Sequence, residues 1–154
     1  MTLYILALLI GVIAGLRAMT APAAMAWAAS LGRLSLAGFP LAWLGGPIPV
    51  GLFTVLALLE LFADQHPKTP SRKVPQQFAA RVLSGAFSGA ALMMPSGHWL
   101  RGAAIGAVGA VIGTLGGAEA RARLAKAFGK DQPAAFVEDA VAVLGAALIV
   151  ILAP

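Results

Sequence analysis

The chain has 154 residues, of which 60% are hydrophobic and 11% charged, with a mean hydropathy of +0.88. Eleven Lys and Arg with six Asp and Glu cannot cover a soluble domain of this length in polar side chains, which excludes an ordinary water-soluble globule. The net charge of +5 comes without an aromatic-plus-basic surface, so nucleic acid is not an expected partner. The absence of cysteine removes disulfides, thiolate metal sites and thiol nucleophiles, and no metal or cofactor is expected.

A hydrocarbon core about 30 Å thick takes about 20 mostly apolar residues of helix. Five stretches meet that requirement: residues 2–31, 47–64, 78–95, 99–118 and 135–153. The expected fold is therefore all-α, a single integral membrane domain over residues 1–154 built as a polytopic bundle of about five transmembrane helices. Met1 to Ile10 has no basic n-region, so the first stretch reads as a retained span rather than a signal peptide.

That first stretch is interrupted. Residues 3–16 are apolar, Arg17 follows, and Thr20-Ala21-Pro22 reads as the capped start of a second helical piece. A break near residues 17–22 is expected, with a mildly kinked helix as the plainer alternative. At about 1.5 Å per residue Arg17 lies about 20 Å from the start of the helix. A guanidinium beside a helix N-terminus with free N–H groups would attract an anion, with Thr20 at that terminus. The competing reading has Arg17 snorkelling to an interface or paired with a carboxylate.

In the second stretch Glu60 and Asp64 are four residues apart and share a helix face. They can bind a cation or relay a proton, or serve as ion-pair partners for Arg17, Arg81 or the basic loop. That loop contains Pro67, Lys68, Pro70, Arg72, Lys73 and Pro75. Its prolines stiffen the chain, and its charges make a topology anchor and, through Arg72, a candidate site for a phosphate or anionic headgroup.

The third stretch repeats part of the first. Gly11, Gly15 and Met19 before Pro22 match Gly85, Gly89 and Met93 before Pro95, a weak trace of internal duplication. Pro95-Ser96-Gly97-His98 resembles the middle motif of type 2 phosphatidic acid phosphatases. No histidine follows His98, so the resemblance lacks its nucleophile, a polar turn is expected, and the chain is not expected to be an enzyme.

Along the fourth stretch Gly102, Gly106, Gly109, Gly113 and Gly117 recur every three or four residues. They form a small-residue face for helix packing within the bundle or for a homo-oligomer. Glu138 and Asp139 open the fifth stretch and need partners, with Arg72, Lys73 and Arg81 as candidates.

With five spans, Lys68, Arg72, Lys73, Arg81, Arg121, Arg123, Lys126 and Lys130 fall on one side, and Arg33 and Arg101 on the other. This bias places the N-terminus in the cytoplasm and the C-terminus outside, across a bacterial inner membrane. Gly15-Leu16-Arg17-Ala18-Met19-Thr20-Ala21-Pro22 and Glu60 through Arg72 together resemble a family of small bacterial integral membrane proteins known only as a domain of unknown function. That resemblance implies a fold and no activity.

The expected function is a small transporter or channel for an anionic or phosphate-bearing solute, in contact with membrane lipids. The alternative is a non-transporting scaffold that binds lipid headgroups or a partner protein. A solvent-connected cavity at Arg17 would favour the first, and a closed ion-pair knot the second.

Overall fold

Thr2 to Leu16 contains neither charge nor proline and forms α1 (Thr2–Leu16). The helix stops at Arg17, whose backbone is extended at φ −140° and ψ 109°. Arg17, Ala18 and Met19 turn the chain into α2 (Thr20–Ser30), which carries Pro22 in its first turn, where a missing N–H interrupts no helical bond. A short 3₁₀ turn, Ala42–Gly45, leads into α3 (Pro47–Ala63). α4 (Pro75–Met93) opens on a proline, followed by α5 (Trp99–Phe128) and α6 (Asp131–Leu152). The computed structural model describes residues 1–63 and 74–153, and among these every regular element is helical.

The Pro95–His98 motif forms the tight turn between α4 and α5, with Gly97 at φ 74° and Ser96 Oγ donating to the Met93 carbonyl at 2.8 Å. The basic segment 119–134 is not an extended loop. α5 runs on to Phe128, reaching about 45 Å at about 1.5 Å per residue, and only Gly129 and Lys130 separate it from α6. Gly129 takes φ 71°, the left-handed cap that favours glycine.

Contacts along the helices fix their directions. Gly109 meets Leu8 and Gly113 meets Val12, so α1 and α5 run parallel. Gly102 meets Gly89 and Gly106 meets Gly85, so α4 and α5 run antiparallel. Asp139 reaches Arg17 and Gly145 faces Ile13, which makes α6 antiparallel to α1. Glu60 reaches Ala18 and Met19 while Thr54 bonds to Trp27, which makes α3 antiparallel to α2.

These directions have a consequence for residues 2–31. α1 descends from the end of the bundle that holds the α4–α5 turn, and α2 climbs back to that same end. The pair is a helical hairpin with its tip at Arg17–Met19, not one broken span crossing from end to end. The expected single first span is instead a hairpin of two helices of 15 and 11 residues, each below the about 17 residues that a crossing takes at the least. Met1 and the C-terminal end of α6 therefore stand at the same end, and the opposite end carries the end of α3, the start of α4 and the α5–α6 turn.

Small residues hold the centre. α5 is the axis, with α1 and α4 on either side, and a Cβ at Gly106 would strike the Gly85 carbonyl while one at Gly11 would strike the Gly106 carbonyl. Gly102, Gly106, Gly109 and Gly113 are thus taken up inside the chain. The two matching glycine pairs share this docking onto α5, from opposite directions. Outside the core the surface is apolar: Ile5, Leu52, Leu59, Leu83, Leu144 and Leu148 are each more than half exposed. α5 and α6 are long and apolar enough to cross a membrane, and α1 and α3 are shorter apolar helices.

Candidate functional site: the ion-pair knot at the hairpin tip

A sharp reversal leaves backbone groups without helical partners, and inside a protein each must find another. At this tip the partners come from neighbouring helices. Glu60 of α3 accepts from the Ala18 and Met19 N–H groups, at 2.7 Å for each carboxylate oxygen. Arg81 of α4 donates through Nη1 to the Leu16 carbonyl at 2.6 Å and the Gly15 carbonyl at 3.0 Å. Ser84 donates to the Ala18 carbonyl, and Thr114 of α5 donates to the Ala110 carbonyl at 2.8 Å and to Gly15 at 3.3 Å. An anionic group therefore caps the donors at the start of α2, and a cationic group caps the acceptors at the end of α1, matching the two helix dipoles. Arg81 Nη2 and Glu60 Oε1 stand 3.5 Å apart, joining the two caps.

Arg17 points to the other side of the tip and is fully buried. Its Nε donates to Asp139 Oδ1 at 2.7 Å, and its Nη2 lies 3.9 Å from Glu138 Oε2. Glu138 in turn faces Arg121 Nη1 at 3.4 Å, and Arg121 holds Asp131 through Nε at 3.0 Å and Nη2 at 2.6 Å. One chain of alternating charge thus runs from Arg17 through α6 to α5 and the exposed basic end. Burying such groups is costly unless each is paired, and removing one partner of a buried pair typically costs about 3–5 kcal/mol.

The sequence candidates divide accordingly. Arg17, Glu60, Arg81, Glu138 and Asp139 come together at the tip. Thr20 lies beside them as the first residue of α2, 7% exposed, with no hydrogen-bond partner for its Oγ1 among the described residues. Asp64, Arg72 and Lys73 lie outside the described residues. The anion attraction expected of Arg17 and the α2 N-terminus is satisfied from within, since Asp139 takes the guanidinium and Glu60 takes the N–H groups. Of the partners expected for Glu138 and Asp139, Arg81 serves Glu60 instead, and Arg17 and Arg121 take the α6 pair.

Four contributors escaped sequence reasoning, among them Asp131 at the start of α6. Arg121 read only as a loop charge, although it lies seventeen residues before Glu138 across a helical turn. Ser84 is one helical turn after Arg81, and Thr114 directly follows Gly113 of the small-residue series, so each had a positional signal and no chemical one.

Beside the knot is a cavity of about 410 Å³ bounded by α2, α3 and α6. Apart from Thr20, Thr54 and the indole N–H of Trp27, its lining is apolar, and the Trp27 and Thr54 groups bond to each other at 3.0 Å.

No curated protein and no solved structure matches the chain. A family model described as Domain of unknown function (DUF4126) matches residues 4–154, and the chain belongs to that family.

Proposed function

We propose that this chain is a multi-pass inner-membrane carrier for an anionic solute, shaped in this arrangement as its closed form. α3, α4, α5 and α6 would cross the bilayer, and α1–α2 would be a re-entrant hairpin. The basic end, with Lys126 and Lys130, would face the cytoplasm. Both termini would then be outside, which revises the cytoplasmic N-terminus expected from five spans.

The observation that carries the carrier reading is the hairpin tip. Irregular backbone is tolerated at membrane depth only where protein or a water-filled path satisfies it, and carriers place such breaks at their binding sites. Here the carboxylates of Glu60 and Asp139 occupy the positions that a bound anion would take, at the α2 N–H groups and at Arg17. A solute anion replacing them would release the hairpin from α3 and α6.

Reconstituted liposomes loaded with labelled phosphate, acetate or decanoate provide the test. Wild-type protein should release at least one of these anions, and Glu60→Gln, which weakens the cap on the tip, should change that rate about tenfold or more. Failure of folded protein to move any of the three would sink the carrier reading. The second reading, a non-transporting scaffold bound to lipid or a partner, is favoured by one specific observation: the knot is closed, with Arg17 fully buried. Absence of flux would leave that reading standing.

A further inference from the structure

α3 and α6 flank α2 without forming a packed interface with each other, and the cavity occupies the gap between them. It begins at Thr20, Leu61 and Val143 beside the knot and follows α2 to Leu31, Thr54 and Ile151 near the opposite end. Over the length of α2 this is about 17 Å at about 1.5 Å per residue. The walls offer a solute almost nothing polar, because the hydroxyl of Thr54 and the indole of Trp27 are already bonded to each other. The exception stands at the knot end: Thr20 Oγ1 is buried, lines the cavity and has no partner among the described residues. A buried hydroxyl without a partner is destabilising, so Thr20 Oγ1 is, among the described residues, the one groove-lining group with a hydrogen bond left to offer a ligand atom.

We infer that the groove binds a single-chain amphiphile with a carboxylate head, a fatty-acid-like molecule. Its chain lies along α2 between α3 and α6, and its head lies at Thr20. The head accepts from Thr20 Oγ1 and, by displacing the Glu60 carboxylate, from the Ala18 and Met19 N–H groups at the start of α2, where the helix end favours an anion. Access is sideways, between α3 and α6, so the ligand enters from the surrounding lipid. This inference deepens the carrier reading and rests on it for what happens after binding, whereas binding itself is measured separately.

The probe is cis-parinarate, a fluorescent fatty acid, titrated into detergent-solubilised full-length protein while energy transfer from tryptophan is followed; Trp27 lines the groove. Saturable binding is expected to wild type. Ala147→Trp, on the exposed α6 wall, and Ala57→Leu, on the α3 wall, should each weaken it at least about tenfold by filling the groove. Thr20→Val keeps the shape and should weaken it about two- to tenfold. The methyl ester of the probe should bind about tenfold more weakly than the acid.

Unchanged binding to both groove-filling variants, with elution volume and helicity intact, overturns the site. Equal binding of acid and ester overturns the carboxylate head. Saturable, groove-dependent binding in a protein that moves no anion in liposomes would sustain this inference and end the carrier reading. Flux of acetate and phosphate with no parinarate binding would do the reverse.

Discussion

Arg17→Ala should lower the thermal unfolding midpoint of the detergent-solubilised protein on the order of 10 °C, corresponding to about 3–5 kcal/mol. The reason is the isolation of its partners rather than the loss of attraction alone. Arg17 is fully buried, Asp139 is paired to it at 2.7 Å, and the Asp139 side chain is only 13% exposed. Without the guanidinium an ionised Asp139 sits in a low-dielectric interior with no compensating cation among the described residues, while Glu138 retains Arg121. A paired replacement separates this account from simple loss of packing. Arg17→Met combined with Asp139→Leu removes both charges together, and buried ion pairs exchanged for apolar residues of similar volume are often close to neutral. The double variant should therefore recover most of the stability lost by Arg17→Ala. Equal destabilisation of the two would show that the pair is not the origin of the cost.

Gly106→Val should be at least as damaging, at about 3 kcal/mol or more, because the contact it invades is backbone against backbone. A Cβ at Gly106 meets the Gly85 carbonyl, and Gly11 already rests against the Gly106 carbonyl from the other side. α5 cannot move from one neighbour without pressing on the other, so the strain is not relieved by a side-chain rotation. Gly116 is the control on the same helix. A Cβ there meets nothing within 4 Å, so Gly116→Ala should be neutral or stabilising by up to about 1 kcal/mol through helix propensity. Unfolding of the three proteins followed by size-exclusion retention after heating gives the comparison.

Both effects bear on what the sequence made legible. The small-residue series on α5 could be read directly, since glycine every three or four residues has one physical use in a helix, close backbone approach. The interruption after Leu16 was also legible, because an arginine followed by Thr20 and Pro22 ends one apolar helix and starts another. The reversal of direction was not. A break and a hairpin have the same local signature, and what distinguishes them is the parallel packing of α1 on α5, a relation between residues about a hundred positions apart. The partners at the tip were hidden for the same reason. Carboxylate and arginine positions were visible at Glu60, Arg81, Glu138 and Asp139, but which carboxylate meets which arginine depends on how four helices are arranged around α5. Charge counting remained sound for the two ends of the bundle, since the α5–α6 turn and the flanks of the basic loop share one end. Under the proposed four-span arrangement the N-terminus would change sides, because the first segment turns back on itself.

Because the chain has no native cysteine, single substitutions report position cleanly, and labelling by a membrane-impermeant maleimide in intact cells tests the hairpin most directly. Thr2→Cys, Gly38→Cys and Lys130→Cys sample the start of α1, the α2–α3 connection and the α5–α6 turn. The re-entrant hairpin predicts that positions 2 and 38 are labelled from outside and that position 130 is labelled only after the membrane is opened. Labelling of position 38 without position 2 in intact cells would mean that the first segment crosses the membrane, and would contradict the account.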